Sequence, residues 1–200
     1  MSMPQAHLVD DDEAIRDALS WLLKSRGIPS TTYASAEEFL AAWTPALSGC
    51  VVLDMRMSGM TGLDCFELLQ KKSSTLPVIF LTGHGDVPLA VATLKMGAFD
   101  FFEKPLNDND LATRVAEAIA HNAQQRASNA SLDSLNRRLA SLTSREKQIM
   151  ELVLAGKLNK IIADELNISM RTVEVHRANL FDKMLVKTAV ELANLLKPGR

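Results

Sequence analysis

Residues 51–54 read Val-Val-Leu-Asp, and the fold follows from what this short run requires of its neighbours. Three consecutive apolar residues, two of them β-branched, predict a strand buried on both faces, with Asp54 left at its end. Such a strand needs helices covering it above and below, and the flanking sequence supplies them. Residues 6–9 (AHLV), 77–81 (PVIFL) and 98–102 (AFDFF) predict further buried strands, with a weaker one near 30–33. Ile15, Ala18, Leu19 and Leu22 recur at helical spacing, and residues 37–43, 63–69, 87–96 and 108–120 predict four more helices. Five strands alternating with five helices predict a doubly wound α/β domain, a five-stranded parallel (βα)5 sheet with right-handed crossovers, over residues 1–120.

The pattern then turns all-α. Residues 121–141 hold no Pro or Gly and predict a helical linker rather than a loose tether. Leu132, Leu135, Leu139 and Leu142 recur along it every three to four residues, a stripe for packing on a neighbouring domain or for a short coiled coil. Residues 142–200 predict a four-helix domain. Thr143 and Glu146 are spaced as a capping box, and Gly156 stops the helix that they open. A second helix near 158–166 and a third near 170–184 are separated by Asn167-Ile168-Ser169, with Ser169 as N-cap and a last helix near 187–196. Two helices joined by a three-residue turn have helix-turn-helix spacing.

Composition narrows the partners. Hydrophobic residues are 47 % and charged ones 23 %, the balance of a globular chain. No apolar run reaches the roughly 18–20 residues that span a bilayer, and MSMPQAHLVDDD has no secretory character, which predicts a cytoplasmic protein. Cys50 and Cys65 have no metal-ligand spacing. The net charge of −2 hides an asymmetry: residues 1–120 carry nine cationic and sixteen anionic side chains, residues 141–200 ten and seven. Two domains with different partners fit that division.

Parallel strands deliver their C-terminal ends to one sheet edge, where α/β proteins bind ligands. Asp10, Asp11 and Asp12 follow the first predicted strand, Asp54 the third, Thr82 the fourth and Lys104 the fifth. Any one of these is an ordinary solvated turn; together they form a phosphoryl-transfer set. Asp54 serves as nucleophile, Asp10 and Asp11 as hard oxygen ligands for Mg²⁺, and Lys104 and Thr82 as donors to the transferring oxygens.

With Asp-Asp after the first strand, Asp after the third, Thr after the fourth and Lys-Pro after the fifth, residues 1–120 resemble the receiver domains of two-component response regulators. LTGHGDVP (81–88) and DFFEKP (100–105) resemble the FixJ/NarL type in particular. The resemblance implies Mg²⁺ dependence, a sensor histidine kinase as phosphoryl donor, and the Arg56 carbonyl as a further metal ligand. It also implies a cis Lys104–Pro105 bond and a switch in which Thr82 moves and Phe101 turns inward; Phe101 reads equally well as an ordinary core aromatic. Arg56 and His84, two positions beyond Asp54 and Thr82, are candidates for tuning dephosphorylation. The family pattern carries Pro where this chain has Ser58, so the loop after Asp54 is expected to be looser.

Residues 142–196 resemble the LuxR-type DNA-binding domain, with Asn167 where the family often has Gly; Asn is the non-Gly residue that best tolerates a left-handed backbone. The third helix would enter the major groove. Val173, Leu180 and Met184 form its core stripe, whereas Arg171, Glu174, Val175 and Ala178 face the bases and Asn159, Lys160, Thr172, Arg177 and Lys183 the phosphates. His176 reads as a packing or phosphate-contact residue. The expected whole is a regulator phosphorylated on Asp54 that dimerises, binds promoter DNA and, with RNA polymerase as a further partner, activates transcription. It is not expected to be a turnover enzyme. A dehalogenase-like phosphatase would need an acid two residues after its nucleophile, where Arg56 stands, and a vestigial receiver would have lost part of the acidic set.

Overall fold

The computed structural model describes residues 3–83 and 87–197, which fall into two compact units, Met1–Ser128 and Asn129–Arg200. The first unit follows the strand–helix alternation: β1 (Gln5–Val9), α1 (Glu13–Ser25), β2 (Ser30–Tyr33), α2 (Ala36–Ala42), β3 (Gly49–Asp54), α3 (Gly62–Lys71), β4 (Val78–Thr82), α4 (Val87–Lys95), β5 (Asp100–Glu103), then α5 from Asp108. All four strand pairings are parallel, in the order β2-β1-β3-β4-β5. The winding reverses between β1 and β3, so a crevice opens at their C-terminal ends, where Asp10 and Asp54 stand.

Alternation along β3 divides the core. Val51 and Leu53 join Phe39, Phe66 and Phe80 on one face, whereas Cys50 and Val52 join Leu23, Ile79 and Leu111 on the other. Burial of every β3 residue explains its unbroken apolar run. Gly62 opens α3 where a Cβ would lie 2.2 Å from the Asp54 carbonyl oxygen, so only glycine lets this helix start against the end of β3.

Helix α5 runs unbroken from Asp108 to Ala140, as the absence of Pro and Gly predicts. The division between the units falls at Ser128 within it, eight residues beyond the end expected at Ala120. Two polar side chains tie this extension to the first unit. Fully buried Asn122 accepts from the Gly49 N–H (3.1 Å) and donates to the Thr75 carbonyl (2.6 Å). One turn on, the Arg126 guanidinium donates to the carbonyls of Pro45, Ala46 and Leu47.

In the second unit α6 (Ser144–Leu154), α7 (Asn159–Leu166), α8 (Met170–Met184) and α9 (Ala189–Leu196) enclose Ile149, Ile162, Val173, Leu180, Met184 and Leu192. Leu135 and Leu139 pack on this core and Leu142 is buried in it, which accounts for three members of the leucine stripe; Leu132 stays exposed. The capping box at α6 forms as spaced: Thr143 Oγ accepts from Glu146 N (3.2 Å), and Glu146 accepts from Thr143 N (2.8 Å). The Glu146 carboxylate is also 2.7 Å from Lys183 Nζ, joining α6 to α8. Burial opposes its charge, but Lys183 and Thr143 prevail and hold its carboxyl below the usual carboxylate range.

Two outcomes follow. Asn122→Ala leaves the buried Gly49 N–H and the half-buried Thr75 carbonyl unpaired and should cost about 1–3 kcal/mol in urea unfolding of the first unit. Lys183→Ala leaves Glu146 buried without its cation and should cost roughly 1–2 kcal/mol, the lower end because solvent reaches the ammonium. Glu146 has a depressed folded pKa, so its contribution is present above the ordinary carboxylate pKa and is lost as pH falls through the folded value. The stability gap between Lys183→Ala and the parent should therefore shrink in acid; a gap independent of pH contradicts the pairing.

Candidate functional site

The strand ends bring Asp10, Asp54, Thr82 and Lys104 to one edge of the sheet. Lys104 Nζ lies 2.6 Å from Asp54 Oδ1 and 2.9 Å from Asp10 Oδ2, so one ammonium bridges two buried carboxylates. The Arg56 N–H donates to the other Asp54 oxygen at 3.0 Å. Asp10 is fixed further by the Asp12 N–H on its Oδ1, and Arg16 donates to its backbone carbonyl. Asp12 has a separate job: its carboxylate caps α1, accepting from the N–H groups of Ala14 and Ile15.

The electrostatics favour an Asp54 waiting for positive charge. Burial pushes its pKa above the ordinary value, and the Asp10 carboxylate adds to this, against the hydrogen bond and charge of Lys104. Burial also works against the Lys104 ammonium, but its bonds to Asp54 and Asp10 win and raise its pKa. Two buried carboxylates sharing one lysine are undercompensated. Asp10, Asp11 and Asp54 each offer an oxygen, all within 4.8 Å of one another. Hard carboxylate oxygens at this spacing fit a small divalent cation such as Mg²⁺.

Thr82 is buried at the end of β4, its hydroxyl directed at the Phe102 carbonyl at 3.5 Å, too long for a strong bond. Phe101 is partly buried against the core beneath α2 and α3. The Lys104–Pro105 bond is cis, as the resemblance implies. His84 lies outside the described residues. Ser58 departs from expectation. It does not simply loosen the loop: its N–H and Oγ donate to Asp11 Oδ2 at 2.8 and 3.0 Å. A proline at 58 has no N–H, and the substitution itself was the available signal.

In the second unit Asn167 takes the left-handed conformation (φ 51°) expected of it, and Ser169 caps α8 by accepting from the Thr172 N–H. Lys160, Arg171, Glu174, Val175 and Ala178 are exposed, and Met170 and Asn179, which the periodicity argument passed over, are exposed on α8 with them. Arg171 and Glu174 approach to 3.7 Å. Thr172 is half-buried beside Ser169. The Arg177 guanidinium donates to Asn159 Oδ1 (2.7 Å) and lies over the Phe181 ring, while Lys183 is held by Glu146. Asn159, Arg177 and Lys183 thus have partners within the unit. His176 is half-buried.

Comparison with known proteins agrees with both halves. Residues 6–116 match the response regulator receiver domain, and residues 140–196 match the bacterial regulatory proteins of the luxR family. The chain is 47 % identical over 191 residues to the C4-dicarboxylate transport transcriptional regulatory protein DctR of Rhodobacter capsulatus, covering 94 % of this chain and 97 % of that one. It is 44 % identical over 190 residues to the transcriptional regulatory protein FixJ of Bradyrhizobium diazoefficiens, covering 94 % and 92 %. Among solved structures, the response regulator StyR matches with a TM-score of 0.93 at 38 % identity, over 98 % of this chain and 99 % of that one. Full-length FixJ from B. japonicum matches with a TM-score of 0.59 at 42 % identity, over 98 % and 96 %. A receiver fold with its acidic edge and a LuxR-type helix-turn-helix in one chain make it a member of the two-component response regulators, a regulator of transcription.

Proposed function

We propose that Asp54 takes a phosphoryl group from a phosphohistidine of a sensor kinase, and that the phosphorylated chain dimerises and binds promoter DNA to activate transcription. The observation that carries this reading is the single lysine shared between Asp10 and Asp54. It supplies a nucleophile, a second acid for the cation and a charged donor at one point. An Asp54 carboxylate oxygen attacks phosphorus, the O–P bond forms as the N–P bond breaks, and the departing imidazole nitrogen takes a proton. Lys104 releases part of its hold on Asp54 to cover a phosphoryl oxygen, and Thr82 turns from the Phe102 carbonyl to donate to another, with Phe101 following inward. Mg²⁺ bound by Asp10, Asp11, Asp54 and the Arg56 carbonyl would neutralise charge on the transferring oxygens. The chain catalyses only its own phosphorylation and slow dephosphorylation, the latter tuned by Arg56 and His84.

Supporting features surround the pocket. An apolar groove lined by Ile15, Trp21, Pro105 and Leu106 opens beside Lys104. Val91, Leu94 and Met96 are exposed on and just after α4, and they suit the pairing face. On α8 we assign Arg171, Glu174, Val175 and Ala178 to base edges, with Glu174 accepting from a cytosine amino group and Val175 against a thymine methyl. Lys160 and Thr172 contact phosphates; Asn159, Arg177 and Lys183 contribute there only by exchanging their present partners. Pairing places two such helices on one operator and raises avidity without new contacts. Among the described residues no helix is long and apolar enough to cross a membrane, consistent with the cytoplasm, where DNA and RNA polymerase are met.

The test is the affinity of the full chain for its adjacent promoter duplex, with and without acetyl phosphate and Mg²⁺. Phosphorylation should tighten binding by about 5–150-fold, the usual range of such coupling. Asp54→Asn should bind weakly under both conditions. Equal affinity of the parent in both conditions overturns the proposal.

A further inference from the structure

We infer that Ser58 is a positioning residue for the cation site, holding the Asp11 carboxylate in place among Asp10 and Asp54. This rests on the reading of those three acids as Mg²⁺ ligands. Asp11 is the exposed member of the cluster, whereas Asp10 and Asp54 are buried and bound to Lys104. Left to itself, an exposed aspartate on a loop samples several rotamers, and a cation must order it on binding. Here the ordering is already done. The Ser58 N–H at 2.8 Å and hydroxyl at 3.0 Å both donate to Oδ2, crossing from the β3–α3 loop to the β1–α1 loop. A carboxylate has about four lone-pair sites on two oxygens, so two donors on one oxygen leave it able to ligate metal.

The arrangement depends on the residue type. Proline at 58 would supply neither donor, alanine only the N–H, and threonine both. Ser58 therefore replaces the stiffness of a proline ring with two hydrogen bonds that bear directly on a ligand. Partners that orient a metal ligand are typically worth about 10–100-fold in affinity, and solvent around Asp11 places this one at the lower end.

Mg²⁺ titration of the unphosphorylated full chain by calorimetry tests this, with thermal unfolding in EDTA measured on the same proteins. Ser58→Thr should bind within about twofold of the parent, Ser58→Ala about threefold more weakly and Ser58→Pro about tenfold more weakly. Unfolding temperatures without metal should not follow that order. If Ser58→Ala and Ser58→Pro bind as tightly as the parent, or more tightly, the inference about Ser58 is overturned and the cation site stands. If the parent itself takes up no Mg²⁺, the cation site falls and the inference falls with it.

Discussion

One lysine ammonium between two buried carboxylates is the constraint on which the receiver half depends. Burying Asp10 and Asp54 side by side is costly, because each carboxylate loses water and they repel one another. Lys104 offsets that cost from the far end of β5, at 2.9 and 2.6 Å. The three come together only because β1, β3 and β5 run parallel and end at one edge. The sheet order then has a chemical meaning. Reversal of winding between β1 and β3 opens the crevice where the two acids sit, and β4, between β3 and β5, brings Thr82 beside it. Compensation by one cation for two anions also leaves a deficit of positive charge, which is what a divalent cation and an incoming electrophilic phosphorus can use.

The second unit solves a similar problem for a different purpose. A carboxylate at 3 % exposure, Glu146, closes the α6 capping box and receives Lys183 from α8. This locks the helix that presents the candidate DNA-reading residues onto the helix that starts the domain. Arg138 adds a donor to the Met184 carbonyl at the C-terminal end of α8, where an exposed carbonyl and the helix dipole both favour a cation. Cations that a charge count would assign to the phosphate backbone are thus partly used to hold the scaffold. Lys160 and Arg171 are the exposed ones left on α7 and α8.

Much of this was legible in the chain itself, for identifiable reasons. Buried parallel strands write themselves as short apolar runs, so the polar residues that follow them are visible as strand ends; Asp54, Thr82 and Lys104 were found this way. Capping at Thr143 and Ser169 and the left-handed turn at Asn167 are local and were readable for the same reason. Strand limits agree to within two residues, the largest shifts being at the starts of β3, which begins at Gly49 rather than Val51, and of β5, which begins at Asp100 rather than Ala98. Contacts between distant loops were not readable. The bond from Ser58 to Asp11 spans 47 positions and depends on loop conformation that no periodicity encodes. Likewise Asn122 is one polar residue in a polar helix until Gly49 and Thr75 are seen beside it.

The central claim is that Asp54 is the phosphoacceptor, and its chemistry can be read at a single residue. The full chain, treated with acetyl phosphate and Mg²⁺ and then reduced with borohydride, should yield homoserine at position 54 on peptide mapping, because an acyl phosphate is reduced where a carboxylate is not. Conversion at Asp54 alone is the predicted result. Conversion at Asp10 or Asp11 instead, or at none of them, contradicts the account.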